Sequence, residues 1–194
     1  MVGSRREFTE RYTKPLSHIF IEYKDFSGGR VLEELVSAFH HNIRRATPDE
    51  AFLLSDIAFR SKAYWGYDQS LMELCRKDLA ILPDDIANNF VWVIEEDGKI
   101  VGFYELRGKV PEANLYWLFL DPKTIGCGYG KMLWLHVVEM AKDLGFEYMM
   151  IKSDPYAEGF YEKMGAERIG NLPSTAIPEL MLPLLRYQLI SAMR

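Results

Sequence analysis

Three glycines fall within five residues at Gly126-Cys127-Gly128-Tyr129-Gly130, with Lys131 next. Ahead of them Asn114-Leu115-Tyr116-Trp117-Leu118-Phe119-Leu120 reads as an apolar strand, stopped by Asp121-Pro122. Behind them Met132 to Met140 carries apolar residues at helical spacing. A strand, a glycine turn and a helix in that order place free backbone N–H groups at the positive end of a helix dipole. That is an anion site, and phosphate is its usual occupant. A plain strand–helix connection does not need three glycines, so the turn points to a ligand. It is not a Walker A loop, because Ile125 stands where the first glycine belongs and Met132 where Ser or Thr belongs. It is not a dinucleotide fingerprint either, because Lys131 occupies the third glycine position.

The chain of 194 residues has the length of one domain with an appendage. Its hydrophobic share of 48% and charged share of 26% are those of a globular protein that can bury a core. A net charge of −5 argues against a nucleic-acid partner, which selects a basic surface. No apolar run reaches membrane-spanning length. Two cysteines, Cys75 and Cys127, make no disulfide framework, so a reducing, cytoplasmic setting is expected. No Cys/His spacing suits a metal, and His40-His41 diverge as sequence neighbours. Ser4-Arg5-Arg6-Glu7-Phe8 lacks the apolar stretch of an export signal, since Glu10, Arg11 and Lys14 follow. Residues 1–41 are read as an extension, in part disordered or vector-derived, with a short helix over 30–40; residues 42–194 are read as the domain.

Along the domain, Asn42 to Ala46 reads as a strand. Thr47-Pro48-Asp49-Glu50 then caps a helix whose inner face is Ala51, Leu54, Ile57 and Ala58. Ser61 to Asp68 reads as a loop and Gln69 to Leu79 as a second helix. Phe90–Ile94 and Lys99–Leu106 flank Asp97-Gly98, a hairpin turn. Leu115–Leu120 is the central strand, 128–144 a long helix ended by Gly145, and Phe146–Ile151 another strand. A helix over 155–164 ends at Gly165, and strands at Ala166–Gly170 and Leu184–Ile190 close the domain around a loop marked by Pro173, Pro178 and Pro183. On pattern alone this is a layered α/β or α+β domain.

The segment Asp121-Pro122 through Lys131 resembles the acyl-CoA-binding segment of the GNAT (GCN5-related N-acetyltransferase) superfamily. Asp154-Pro155-Tyr156-Ala157-Glu158-Gly159-Phe160-Tyr161 through Gly165-Ala166 resembles that family's later N-x-x-A-x-x-F-Y-x-x-x-G-F motif. The two stand in order, one helix and one strand apart, and the resemblance covers about residues 42 to 190. It implies a mixed, twisted central β-sheet of six to seven strands with helices on both faces. Its fourth and fifth strands, here Leu115–Leu120 and Phe146–Ile151, would splay apart to admit the pantetheine arm.

The resemblance implies acetyl-CoA, or another acyl-CoA, as co-substrate and no metal. The CoA pyrophosphate would lie in the turn Gly126, Cys127, Gly128, Tyr129, Gly130 and Lys131, and the arm along backbone groups of Leu118 and Leu120. Asp154, Ala157, Phe160 and Tyr161 would complete the cofactor site. The Leu118 N–H would polarise the thioester carbonyl, and Tyr161 would give a proton to the departing thiolate. Asn114 stands where a catalytic Glu is common, which leaves Glu105 as the best local carboxylate for a base and Glu112 as the second. Ile125 replaces a polar residue that opens the turn, and Asp154 replaces Asn, which would bring a negative charge near the pantetheine. Tyr64, Trp65 and Tyr67 fall on the acceptor side; Trp65, Tyr64 and Asn114 are the substrate-binding candidates, with Ser174, Thr175 and Glu179 further ones. The expected activity is transfer of acetyl to an amine of a small molecule or peptide by direct attack in a ternary complex. The alternative is a non-catalytic CoA-binding sensor or interaction module. A homodimer is a common arrangement among the proteins this chain resembles.

Overall fold

The computed structural model describes residues 42–189; the extension and the helix expected over 30–40 lie outside the described residues. Strand β1 (Asn42–Arg45) leads through a 3-10 turn, Pro48–Glu50, into α1 (Ala51–Ala63). Helices α2 (Gln69–Cys75) and α3 (Pro83–Asn88) precede β2 (Phe90–Glu96), β3 (Lys99–Lys109) and β4 (Glu112–Leu120). Then come α4 (Tyr129–Asp143), β5 (Tyr148–Lys152), α5 (Glu158–Lys163), β6 (Glu167–Pro173) and β7 (Met181–Gln188). The strands form one seven-stranded sheet in the order β1-β2-β3-β4-β5-β7-β6. Every neighbouring pair is antiparallel except β4 and β5.

Local chemistry accounts for most of these elements. Asp97 and Gly98 both take positive φ, 50° and 73°, so a two-residue turn joins Glu96 to Lys99. Gly145 and Gly165 end α4 and α5 at φ of 82° and 91°. Alternation then divides the sheet's side chains between two cores. Val91, Val93 and Phe103 pack under α1, α2 and α3 with Leu54, Ile57, Met72 and Ile86. Trp92, Ile94, Tyr104 and Leu106 pack under α4 with Leu133, Trp134 and Val137, where Tyr161 of α5 joins them.

Two expected helix boundaries are corrected and one helix is added; the helix expected over Gln69 to Leu79 stops at Cys75. Helix α1 runs on through Ser61, Lys62 and Ala63, because Ser61 is buried and extends the apolar face. Helix α3 was not expected; Pro83 at its first position and Asp84 and Asp85 in its first turn are the signal that announces it.

The sheet is not evenly knit. Glu105 faces Trp117 and Leu106 faces Leu115, so Tyr116 is an extra residue, a bulge in β4. On the other side β4 pairs with β5 only over Glu112–Leu115 against Tyr148–Ile151. Beyond that ladder Tyr116–Leu120 runs on with no described strand on that side, and the sheet opens into a cleft. Gly102 fixes how closely β3 and β4 approach at the cleft's far end. A Cβ there would stand 2.5 Å from Leu120 Cδ2 and 2.9 Å from the Phe119 carbonyl oxygen. Gly102→Ala is therefore expected to destabilise the protein by about 1–3 kcal/mol, because backbone cannot yield as a side chain can. Urea denaturation measures it, and an unchanged midpoint would show that β4 shifts freely.

Candidate active site

The glycine turn is built as an open cradle. Asp121 accepts from the Lys123 N–H at 3.0 Å and from Arg60 Nη1 at 2.8 Å, which ties the end of β4 to α1. Gly126 and Gly128 take φ of 90° and 95°, and a Cβ at either would meet nothing within 4 Å. Gly128 caps α4, whose first bond runs from the Met132 N–H to the Gly128 carbonyl at 3.2 Å. The amides of Gly130 and Lys131 precede that bond and have no acceptor within the helix. The Cys127 amide is different: it donates to the Thr124 carbonyl at 3.1 Å. The Tyr129 phenol turns inward to Glu96 and is buried. Free amides, a helix dipole and space where side chains would stand fit a diphosphate.

The open edge of β4 continues from this cradle. The Asp121 N–H donates to the Val101 carbonyl at 2.8 Å, so Asp121 faces β3. The register runs unbroken from Trp117 to Leu120, and backbone direction alternates along a strand. Phe119 and Trp117 therefore also face β3, while the N–H and C=O groups of Leu118 and Leu120 face the cleft. A cavity of about 1060 Å³ follows this edge from Gly126, Gly128, Gly130 and Lys131 past Leu118 and Tyr161 to Asn114 and Trp65.

On the cleft's other side Ala157, Phe160 and Tyr161 face the same cavity. The Tyr161 ring is buried, edge-on to Trp134 at 5.8 Å and Phe160 at 5.1 Å. Burial, reinforced by the Asp154 carboxylate, holds its phenol protonated well above the ordinary tyrosine range. Asp154 does not bring an uncompensated charge to the cleft, because Lys62 Nζ lies 2.9 Å from it. Tyr67 donates to the same carboxylate at 3.0 Å, and the Tyr156 N–H at 3.0 Å.

The acceptor end departs from expectation. Trp65 and Asn114 line the cavity, with Ser174 and Thr175 of the β6–β7 loop. Tyr64 does not; it is exposed, with its ring edge against Trp65. Glu179 and Cys127 also lie off the cavity wall. Glu105 has no exposed surface and stays behind the wall, held by Arg107 Nε. Burial pushes its carboxyl up against the pull of Arg107. The side chains that do reach the wall there are Arg107 and Asp85, joined at 3.0 Å, and Arg107 lies 3.8 Å from the Tyr116 ring centroid. Glu112 accepts from Asn114 and Tyr148 rather than facing the cavity. Sequence reading missed Lys62, Arg107 and Asp85. Only Arg107 carried a signal, two residues from Glu105 and so on its face of β3.

Residues 55–166 match the model of the Acetyltransferase (GNAT) family. The chain belongs to the GNAT acetyltransferase family. Like its relatives it is an acyl-CoA-dependent N-acetyltransferase. The 5-NmdU N-acetyltransferase of Pseudomonas phage PaMx11 is 28% identical over 127 residues, covering 63% of this GNAT chain and 84% of the phage protein. The peptidyl-lysine N-acetyltransferase YjaB of Salmonella typhimurium is 32% identical over 131 residues, 66% of this chain and 85% of that one. The PaiA N-acetyltransferase of Thermoplasma acidophilum, solved with coenzyme A, shares the fold at a TM-score of 0.65 and 18% identity, covering 76% of this chain and 98% of that one. Among the described residues no helix is long and apolar enough to cross a membrane, and no cluster of His, Cys, Asp or Glu could hold a metal ion.

Proposed function

We propose that this GNAT protein transfers acetyl from acetyl-CoA to a primary amine of a small molecule or peptide, by direct attack with both substrates bound. One observation carries this: a single cavity joins the amide cradle, the open edge of β4, Tyr161 and the polar wall of Asn114, Asp85 and Arg107. Acetyl-CoA supplies the activated thioester carbonyl. The amides of Gly126, Gly128, Tyr129, Gly130 and Lys131 hold the diphosphate, and Leu118 and Leu120 pair with the arm as an added strand would. The Leu118 N–H polarises the carbonyl. Tyr161, kept protonated, gives its proton to the thiolate. Cys127 lies off the cavity wall, so a covalent acyl-cysteine route is not proposed.

Glu105 acts through Arg107 in this reading: it fixes the guanidinium against Tyr116, and the acceptor ammonium loses its proton to water. Glu105→Gln is expected to destabilise the protein and leave the acid limb of the kcat profile where it was. A raised carboxyl acting directly as base would set that limb itself, so its disappearance in the variant would restore Glu105 as the base.

The acceptor is tested with an amine panel that includes a lysine peptide and 5-NmdU, read by release of free CoA thiol. Turnover on a primary amine supports the reading. Acetyl-CoA binding without turnover on any amine favours a sensor.

A further inference from the structure

Backbone pairing joins β4 to β5 at one end only. The ladder stops at Leu115 and Ile151, and the cleft opens beyond it. At the open end side chains connect the two walls instead. Lys62 of α1 reaches Asp154, 2.9 Å from Nζ to Oδ2, with only 13% and 18% of the two side chains exposed. Tyr67 donates to the same carboxylate at 3.0 Å, and the Lys62 ammonium lies 4.4 Å from the Tyr67 ring centroid. Trp65 stacks on Tyr156, centroids 5.5 Å apart and planes within 5°. Asp154 stands as far past the ladder's end on one wall as Leu118 does on the other.

We propose that Lys62 and Trp65 are positioning residues for the cofactor's pantetheine arm: with Asp154 and Tyr156 they tie the open end of the cleft and roof the channel along β4. This rests on the placement of the arm along Leu118 and Leu120. Two walls hinged at one end spread at the other unless something holds them. A channel of fixed width spares a flexible arm part of the ordering cost of binding. The pair is largely out of water, so screening weakens it little. With Lys62 removed, Asp154 keeps the Tyr67 hydroxyl and the Tyr156 N–H but loses its counter-ion in a largely buried place, and it relaxes toward solvent with the β5–α5 turn and Tyr156. The glycine turn at the other end of the cofactor is untouched.

The test is calorimetric titration with acetyl-CoA and, separately, with 3′-phospho-ADP, the nucleotide half of CoA without the arm. Lys62→Met is expected to weaken acetyl-CoA about tenfold or more while 3′-phospho-ADP stays within about twofold, and Lys62→Arg is expected to retain affinity. Trp65→Ala, which leaves the ion pair in place, is expected to weaken acetyl-CoA selectively as well. Unchanged acetyl-CoA affinity in both Lys62→Met and Trp65→Ala overturns the proposal. So does an equal loss for both ligands, which would mean general damage to the domain. If the unmodified protein binds 3′-phospho-ADP but the variants show no selectivity, the bridge fails and the turn stands. If it binds neither ligand, the turn assignment falls and the bridge with it.

Discussion

Replacing Tyr161 by Phe is expected to lower kcat by about 10²–10³-fold while acetyl-CoA affinity stays within about twofold. Phe keeps the ring that packs edge-on against Trp134 and Phe160, so the core around α5 should survive. What is lost is a proton donor on the cavity wall. No described group holds the Tyr161 hydroxyl by a hydrogen bond, which leaves it free to meet a ligand atom. Burial and the Asp154 carboxylate raise its titration above the ordinary range. The phenol therefore stays protonated across neutral and mildly basic pH, and it sets no basic limb there. The measurement pairs a thiol-release assay with calorimetric affinity. A kcat that survives the substitution would leave Tyr161 as a packing residue and assign the proton to water.

Gly128→Glu is expected to weaken acetyl-CoA by about 100-fold or more, through charge rather than bulk. A Cβ at Gly128 meets nothing within 4 Å, so there is room for a side chain. Two other costs remain. The φ of 95° is rarely adopted by residues with a Cβ, which costs about 1–2 kcal/mol of stability. A carboxylate at the cap of α4 also competes with the diphosphate for the amides of Tyr129, Gly130 and Lys131. Gly128→Ala separates these costs: it carries the strain without the charge, and is expected to lose stability yet keep most of its affinity. If Ala and Glu weaken binding equally, the turn's shape matters and its anion site does not.

Much of this protein is legible in one dimension. Asp97-Gly98 needs two positive φ values and so makes a hairpin wherever it stands between strands. Gly126 and Gly128 announce a turn without side chains, and the N–H groups exposed at the start of α4 follow from helix geometry alone. Leu118 and Leu120 offer their backbone to the cleft because alternation is a property of any strand. Ala51, Leu54, Ile57 and Ala58 do form the inner face of α1.

What sequence reading misplaced depends on partners far along the chain. By sequence position Glu105 is the best local carboxylate for a base. In the fold it is sealed behind Arg107, whose guanidinium it shares with Asp85 of α3. Asp154 looked like an unbalanced charge, and Lys62 from the end of α1 balances it. Tyr64 and Trp65 are neighbours in sequence, yet only Trp65 faces the cavity. The bulge at Tyr116 has no marker in sequence, because it exists only as a mismatch of register with β3.

The turns, the strand and helix periods and the amide cradle follow from the order of residues, because φ preference and side-chain period act within a few residues. Which charges meet, and which side chain faces the cavity, depends on the folded chain. Desolvation and pairing depend on what the fold brings into contact, and for Lys62 and Asp154 that contact spans 92 residues of chain.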